Sequence, residues 1–296
     1  MRPLGGEELA WAAQLACLYE AGAEKPGNVT PGARFAGTGY QDFVASAVAV
    51  GPAFAAAPET TVGETVLRAV TATRRLVSTN TNLGIVLLTA PLAKAAAQVG
   101  DGEGLRPAVA RVLRDLTVAD AADAYEAIRR AVPGGLGRAP EHDVAEAAPQ
   151  VTLRAAMEAA RKRDAVAREY ATDFAITFTL GAPVLRRSWD RGLTLSGGIV
   201  CAFLEILAEV PDTLVARKLG TAAAEEVSRR AAQTLAAGGP ATPRGRQAVA
   251  RLDAELRDPA HARNPGTTAD LVCASLFVFL TEGGMLDRVS ELGARW

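Results

Sequence analysis

Thr61-Val62-Gly63-Glu64-Thr65-Val66-Leu67-Arg68-Ala69-Val70-Thr71-Ala72-Thr73-Arg74-Arg75-Leu76 carries the signal that decides the fold class. Thr61-x-x-Glu64 reads as a capping box, in which the hydroxyl and the carboxylate each satisfy a free backbone N–H of a helix start. Behind it Val66, Leu67, Val70 and Leu76 recur at helical spacing. Working outward, Thr117-x-x-Asp120 opens a second helix that Pro133-Gly134-Gly135 ends. Leu9, Ala12, Ala13, Leu15, Ala16, Leu18 and Tyr19 give 7–22 a helical period. A further apolar helix over 40–57 is expected to bend or end near Gly51-Pro52. Later helices are predicted over 152–172, 173–189, 198–209, 211–220, 221–237, 243–257 and 267–282, with Gly283-Gly284 ending the last. Ile176–Leu180 alternates like a strand and Ile85–Leu88 is a short apolar run. Neither has hairpin turns or regular partners, so both are read as helical. The sequence thus predicts an all-α, single-domain multi-helix bundle over 1–296, with loops at 100–106, 133–149 and 236–244.

Composition narrows the function. The 296 residues are 49% hydrophobic and 22% charged, enough for a packed core. Thirty-two basic against 33 acidic residues leave a formal net charge of -1, which argues against a general nucleic-acid binder. Cys17, Cys201 and Cys273 have no metal or redox spacing and read as small apolar residues in a reducing compartment. Two histidines are too few for a His-based metal site, so carboxylates and Mg²⁺ are the expected metal chemistry. The longest uncharged stretch, 76–93, contains Ser78 to Asn82 and does not suit a membrane span. A cytoplasmic protein is expected, with no nucleic-acid or membrane partner and with a homodimer open.

Four polar, Gly/Pro-rich segments could carry chemistry. Glu20 to Val29, followed by Asp42, ends the first helix and delivers Glu20, Lys25 and Asn28 into one turn. A lysine there can point a cation at phosphate, and nearby carboxylates can hold Mg²⁺. An ordinary helix end with solvated charges explains the same residues. Ser78-Thr79-Asn80-Thr81-Asn82-Leu83-Gly84 leads into a buried run, and its polar groups need partners, either one another or a polar ligand. In 133–144, glycines can bring backbone amides to phosphate, Arg138 offers a cation, and Glu141-His142-Asp143 groups residues fit for metal binding or proton transfer. Last, Asn264-Pro265-Gly266-Thr267-Thr268-Ala269-Asp270 opens the C-terminal helix, whose free N–H groups attract phosphate.

In this order the segments resemble the triphosphoribosyl-dephospho-CoA synthase family, from about Leu9 to Leu280. Glu20, Lys25-Pro26-Gly27 and Val29 match its first motif, and Asp42-Phe43-x-x-Ser46-Ala47 with Pro52 and Phe54 matches its next helix. Asn80-Thr81 with Gly84 is similar to its Asn-Thr-His-Lys-Gly, and Asn264-Pro265-Gly266 with Ala269-Asp270-Leu271 to its C-terminal motif. Asn82-Leu83 stands where that family has His-Lys, and the family's histidine ahead of Asp42 is absent. The 135–144 loop is similar to a divergent branch associated with pterin-dependent one-carbon metabolism.

The resemblance implies an all-α pentosyltransferase that moves the triphosphoribosyl group of ATP to dephospho-CoA or a related acceptor and releases adenine. It implies catalytic roles for Glu20, Asp42 and His142. Substrate contacts would come from Lys25, Asn28, Asn80, Thr81, Asn82, Arg138, Asn264 and Gly266. Glu20, Asp42, Glu141, Asp143 and Asp270 would be the Mg²⁺ ligands. Two other readings stand beside it: a Mg-dependent nucleotide or ADP-ribose hydrolase on an all-α scaffold, and a non-catalytic helical binding protein.

Overall fold

The computed structural model describes all residues except 136, 140, 146–148 and 283, so Gly283 and two positions of the 135–144 loop lie outside it. Among the described residues fifteen α-helices follow in chain order: α1 Gly6–Gly22, α2 Tyr40–Ala55, α3 Val62–Leu76, α4 Leu83–Gln98, α5 Leu105–Arg114, α6 Val118–Ala131, α7 Leu153–Ala160, α8 Ala165–Ala171, α9 Ala182–Asp190, α10 Leu195–Glu209, α11 Thr213–Leu219, α12 Thr221–Ala236, α13 Pro243–Leu256, α14 Gly266–Thr281 and α15 Val289–Ala294. No strand forms among the described residues; only isolated bridges occur, at Thr30–Ala33 and Phe35–Thr38. The all-α expectation is met.

The caps work largely as read. Thr61 Oγ1 accepts from Glu64 N–H at 3.1 Å, but the Glu64 carboxylate pairs with Arg68 one turn on. At Thr117 both halves of the box form, and Asp120 Oδ1 also accepts from Gly63 N–H at 2.8 Å. That bond locks the start of α3 to the start of α6. A Cβ on Gly63 would lie 2.5 Å from the Asp120 backbone, so the glycine permits the approach.

Several boundaries differ from expectation. The helix predicted over 152–172 breaks after Ala160, and Asp164 restarts it by accepting from Val166 N–H at 2.8 Å. Asp173 and Phe174 take left-handed backbone, which separates α8 from the helical run that follows. The strand-like alternation falls mostly in a π-turn, Thr177–Gly181. Ser196-Gly197-Gly198 lies inside α10, because Thr194 Oγ1 caps that helix at Gly197 N–H. Pro52 sits within α2, which runs on to Ala55. Short α5 carried no cap signal in the sequence.

α4 and α14 form the centre. Every residue of α14 from Thr267 to Thr281 is buried except Asp270, and α4 is nearly as enclosed. A helix apolar on all sides must be wrapped by others, and α1, α9 and α10 pack on α14 while α1, α3 and α5 pack on α4. Cys17 and Cys273 are buried side by side where α1 meets α14. Among the described residues no single helix is long and apolar enough to cross a membrane.

Glu169 secures the π-turn. It is fully buried and accepts from Ile176 N–H at 3.0 Å, Thr177 N–H at 2.7 Å and Thr177 Oγ1 at 2.7 Å. Burial outweighs these bonds and pushes its carboxyl up to about 7. The folded chain therefore holds a proton there that the unfolded chain has shed. The stability this contributes is complete below about pH 4.5, the ordinary value, and is lost as pH rises through about 7. Glu169→Gln fixes the neutral form, so denaturant midpoints at pH 5 and pH 8 should fall further apart for the wild type than for the variant. Equal pH dependence in both would refute this assignment.

Candidate active site

The N-termini of α4 and α14 open into one cavity of about 830 Å³. Asn80 Oδ1 accepts from Leu83 N–H at 3.1 Å and starts α4. Thr81 bonds Ser46 on α2 at 2.6 Å, and the Asn82 amide donates to Thr73 on α3 at 3.0 Å. The start of α14 is set by Asp212, buried ahead of α11. One of its oxygens accepts from Leu214 and Val215 N–H; the other accepts from the N–H and hydroxyl of Thr268, at 2.7 and 2.8 Å. The two helices touch where Asp270 meets Gly84. A Cβ on Gly84 would lie 2.0 Å from Asp270 Oδ2.

Glu20, from the last turn of α1, also lines this floor. Lys25 is buried behind it with its ammonium 3.0 Å from Glu20 Oε1. Its remaining donors go to the Glu20 and Ala23 carbonyls. An ammonium has three N–H bonds, and all three are spent on this turn. Lys25 is not on the cavity wall. Asp270 has no hydrogen-bond partner among the described residues, and desolvation of its carboxyl at the cavity floor, with the Glu20 and Asp212 charges near it, raises it well above the usual range against the opposing charge of Arg217. Asn264 Oδ1 faces the same problem: it is buried and without a donor. Both atoms line or adjoin a space large enough to bring one.

The rim is basic. Arg138 and Arg163 come from the 133–145 loop and the break before α8, Arg217 and Lys218 from the end of α11. Arg217 pairs with Asp164 at 2.6 Å, and a Cβ on Gly135 would lie 3.8 Å from the Arg217 stem and 3.9 Å from that of Lys218. Asp143 folds the loop by accepting from Ala139 and Ala145 N–H at 2.7 and 2.8 Å, bonds that hold its carboxyl below the usual range. The Tyr125 hydroxyl donates to the His142 carbonyl at 2.7 Å. Both histidines of the chain line the cavity, and both have positive φ, 52° at His142 and 51° at His261. Such backbone strain in non-glycine residues concentrates at functional sites.

Of the residues singled out in the sequence, Glu20, Asn28, Asn80, Thr81, Asn82, Arg138, His142, Asp143, Asn264, Gly266 and Asp270 all line this cavity. Asp42 does not; its Oδ2 accepts from Gly39 N–H at 2.7 Å and caps α2. Glu141 is exposed and off the wall. Among the described residues, no three His, Cys, Asp or Glu side chains are grouped to hold a metal ion. Phe35, Arg163, Arg217, Lys218 and His261 were not foreseen. In sequence Arg163 belongs to what reads as a solvated run, and His261 sits in an unremarkable loop. Asn264-Pro265, three residues on, was the nearest available signal.

A family model described as ATP:dephospho-CoA triphosphoribosyl transferase matches residues 6–288. A 2-(5''-triphosphoribosyl)-3'-dephosphocoenzyme-A synthase of Klebsiella pneumoniae is 37% identical over 99 residues, 33% of this chain and 35% of that protein. A Pseudomonas fluorescens protein named "Probable" synthase of the same kind is 33% identical over 135 residues, 46% of this chain and 44% of its own length. The matched stretches thus span less than half of these curated relatives. A crystal structure from Archaeoglobus fulgidus, provisionally named a triphosphoribosyl-dephospho-CoA synthase, superposes with a TM-score of 0.63. It is 29% identical, and the match covers 81% of this chain and 99% of that one.

The floor makes a stability prediction with a definite sign. Asp270 resists ionisation in the folded state, so its stability contribution is present below the ordinary carboxylate range and is lost as pH rises above it. Asp270→Asn removes that cost. At pH 7 the variant should melt above the wild type, and near pH 3.5 the two should coincide. Gly84→Ala, which drives a methyl into Asp270, should melt lower at every pH. Calorimetric scans of the three proteins decide both points.

Proposed function

The chain belongs to the ATP:dephospho-CoA triphosphoribosyl transferase family, and on that premise we propose that its cavity transfers the triphosphoribosyl group of ATP to dephospho-CoA or a related acceptor, with release of adenine. The observation that carries this reading is the acid pair Glu20 and Asp270 on the floor, set between two helix N-termini beneath a rim of arginines. In the reaction the acceptor hydroxyl oxygen bonds to the ribose anomeric carbon, the bond from that carbon to adenine breaks, and the hydroxyl proton is lost as adenine takes one up. Positive charge gathers on the sugar at the crossing point, as in glycoside cleavage. Glu20, fixed by Lys25, is the carboxylate that faces it. Asn264 and Asn80 bind sugar hydroxyls. His142, in the strained loop, moves the proton.

The α4 and α14 N-termini offer backbone N–H groups to phosphate, and the rim arginines add charge-assisted bonds. Leu83 is buried at the start of α4, where the family pattern carries a lysine. Arg138 is exposed on the cavity wall and forms no ion pair among the described residues. We assign it the lost cation's role. Magnesium fits the donor chemistry of the floor, since a cation arriving on a triphosphate needs only one or two carboxylates and Asp270 has no hydrogen-bond partner among the described residues. Glu20 and Asp270 would hold it, in preference to Asp42, Glu141 or Asp143, and its charge would neutralise the phosphates.

Incubation with ATP, Mg²⁺ and dephospho-CoA should release adenine and give a product heavier by the triphosphoribosyl group, read by mass spectrometry. Free triphosphoribose would mean that water replaces the acceptor. Nucleotide binding without turnover would make this a binding protein. Glu20→Gln should slow adenine release about 100-fold or more. Arg138→Ala removes a charge-assisted hydrogen bond of about 1.5–3 kcal/mol, so calorimetry should find ATP binding weakened tenfold or more. Unchanged ATP affinity would remove Arg138 from the site.

A further inference from the structure

Beside the acid floor, two distant loops build an aromatic ledge on the cavity wall. Phe35 lies in the turn between α1 and α2, His261 in the loop between α13 and α14. Their rings stack at 4.1 Å between centroids, 26° apart. Both rings are partly exposed and both line the cavity.

The ledge is held from each side. Phe35 exchanges backbone bonds with Thr38 across the tight turn at Gly37, whose φ is 77°. Thr38 is tied to Thr79 beside the α4 start. On the other loop, Asp258 accepts from Ala260, Ala262 and Arg263 N–H and so wraps the backbone around His261. Ala36 N–H donates to His261 Nε2 at 3.1 Å and joins the two loops directly. An Nε2 that accepts leaves the neutral ring's proton on Nδ1, and Nδ1 has no hydrogen-bond partner among the described residues. Lys218 adjoins the ledge, with its ammonium on the His261 carbonyl at 3.1 Å.

We propose that this ledge binds the purine base of the acceptor nucleotide, which stacks on the Phe35–His261 pair with its phosphates toward Lys218 and Arg217. The proposal rests on the transferase reading and names the chemical class of its second substrate. An aromatic face with a cation beside it matches a base and the phosphates one sugar away. The donor's adenine is bonded to the carbon under attack and so belongs over Glu20 and Asp270. The acceptor's base is one sugar removed from that carbon, and the partly exposed ledge on the wall of the same cavity is there to take it. Asn264, three residues from His261, lines the same cavity, and its buried Oδ1 has no donor among the described residues.

The test compares Phe35→Ala, Phe35→Leu and Phe35→Tyr with the wild type by calorimetry against 3'-dephospho-CoA, 4'-phosphopantetheine and ATP, and by adenine-release kinetics. Loss of stacking should weaken dephospho-CoA about 5- to 150-fold in the Ala and Leu variants. Phe35→Tyr should stay within about threefold of the wild type, since the aromatic face remains. Phosphopantetheine, which lacks a base, should be unaffected. In kinetics the change should fall on the KM for dephospho-CoA and not on that for ATP. Phe35→Leu keeps apolar bulk, so it decides the matter if Phe35→Ala loses its helical circular dichroism. Dephospho-CoA affinity unchanged in a folded Leu variant, or a loss carried by the ATP KM, would overturn the ledge. A wild type that binds dephospho-CoA through Phe35 but releases no adenine would keep the ledge and refute the transferase reading. A wild type that binds no adenine nucleotide refutes both.

Discussion

The site depends on one close approach. Asp270 can lie against α4 only because Gly84 has no side chain there, and that contact fixes where the N-termini of α4 and α14 meet. A methyl would force the helices apart or turn the carboxyl away. Asp212 fixes the same junction from behind. One carboxylate caps α11 and binds the first turn of α14, so those two helix starts cannot move independently. Two central helices apolar on nearly every face supply the burial that holds this geometry.

Burial on the floor is also what gives the site its electrical character. Two carboxylates share an enclosed space and only one has a cation behind it. Desolvation and like charge act on Asp270 in the same direction, and Arg217 offsets them only in part. Elsewhere in the chain buried acids are satisfied: Glu169 by three donors, Asp212 by four and Asp120 by its caps. The contrast separates acids that hold the fold from one left open to a ligand. Functional sites are where such a cost is tolerated. Lys25 holds the fold through two backbone carbonyls and, through its one bond to Oε1, orients the Glu20 carboxylate on the cavity floor.

The departures from the family pattern acquire a local meaning. Asn82 is committed to Thr73, and Leu83 is packed at the start of α4, so neither position offers a cation. Basic groups reach the same cavity from the 133–145 loop, from the break before α8 and from the end of α11. The 133–145 loop is shaped by Asp143 and Tyr125, through its own carboxylate and a phenol on α6.

Helical period and caps made the fold class legible before any coordinates. Thr117 with Asp120 and the apolar rows of 62–76 determine helices through local bonds, and local bonds are written in neighbouring residues. The four polar segments were legible too, because polar groups beside apolar runs must find partners. The sequence could not distinguish Asp42, which caps its own helix, from Asp270, which has no hydrogen-bond partner among the described residues, since both are acids at helix starts. Nor could it show that Arg163, Arg217, Phe35 and His261 share a wall. Their proximity comes from packing between residues far apart in the chain, and only the tertiary structure brings those separations to a few ångströms. The sequence by itself determined most of the helices and the chemistry available at their ends, because caps and helical period are local. The tertiary structure decided which ends meet, because that depends on a missing Cβ at Gly84 and a shared carboxylate at Asp212.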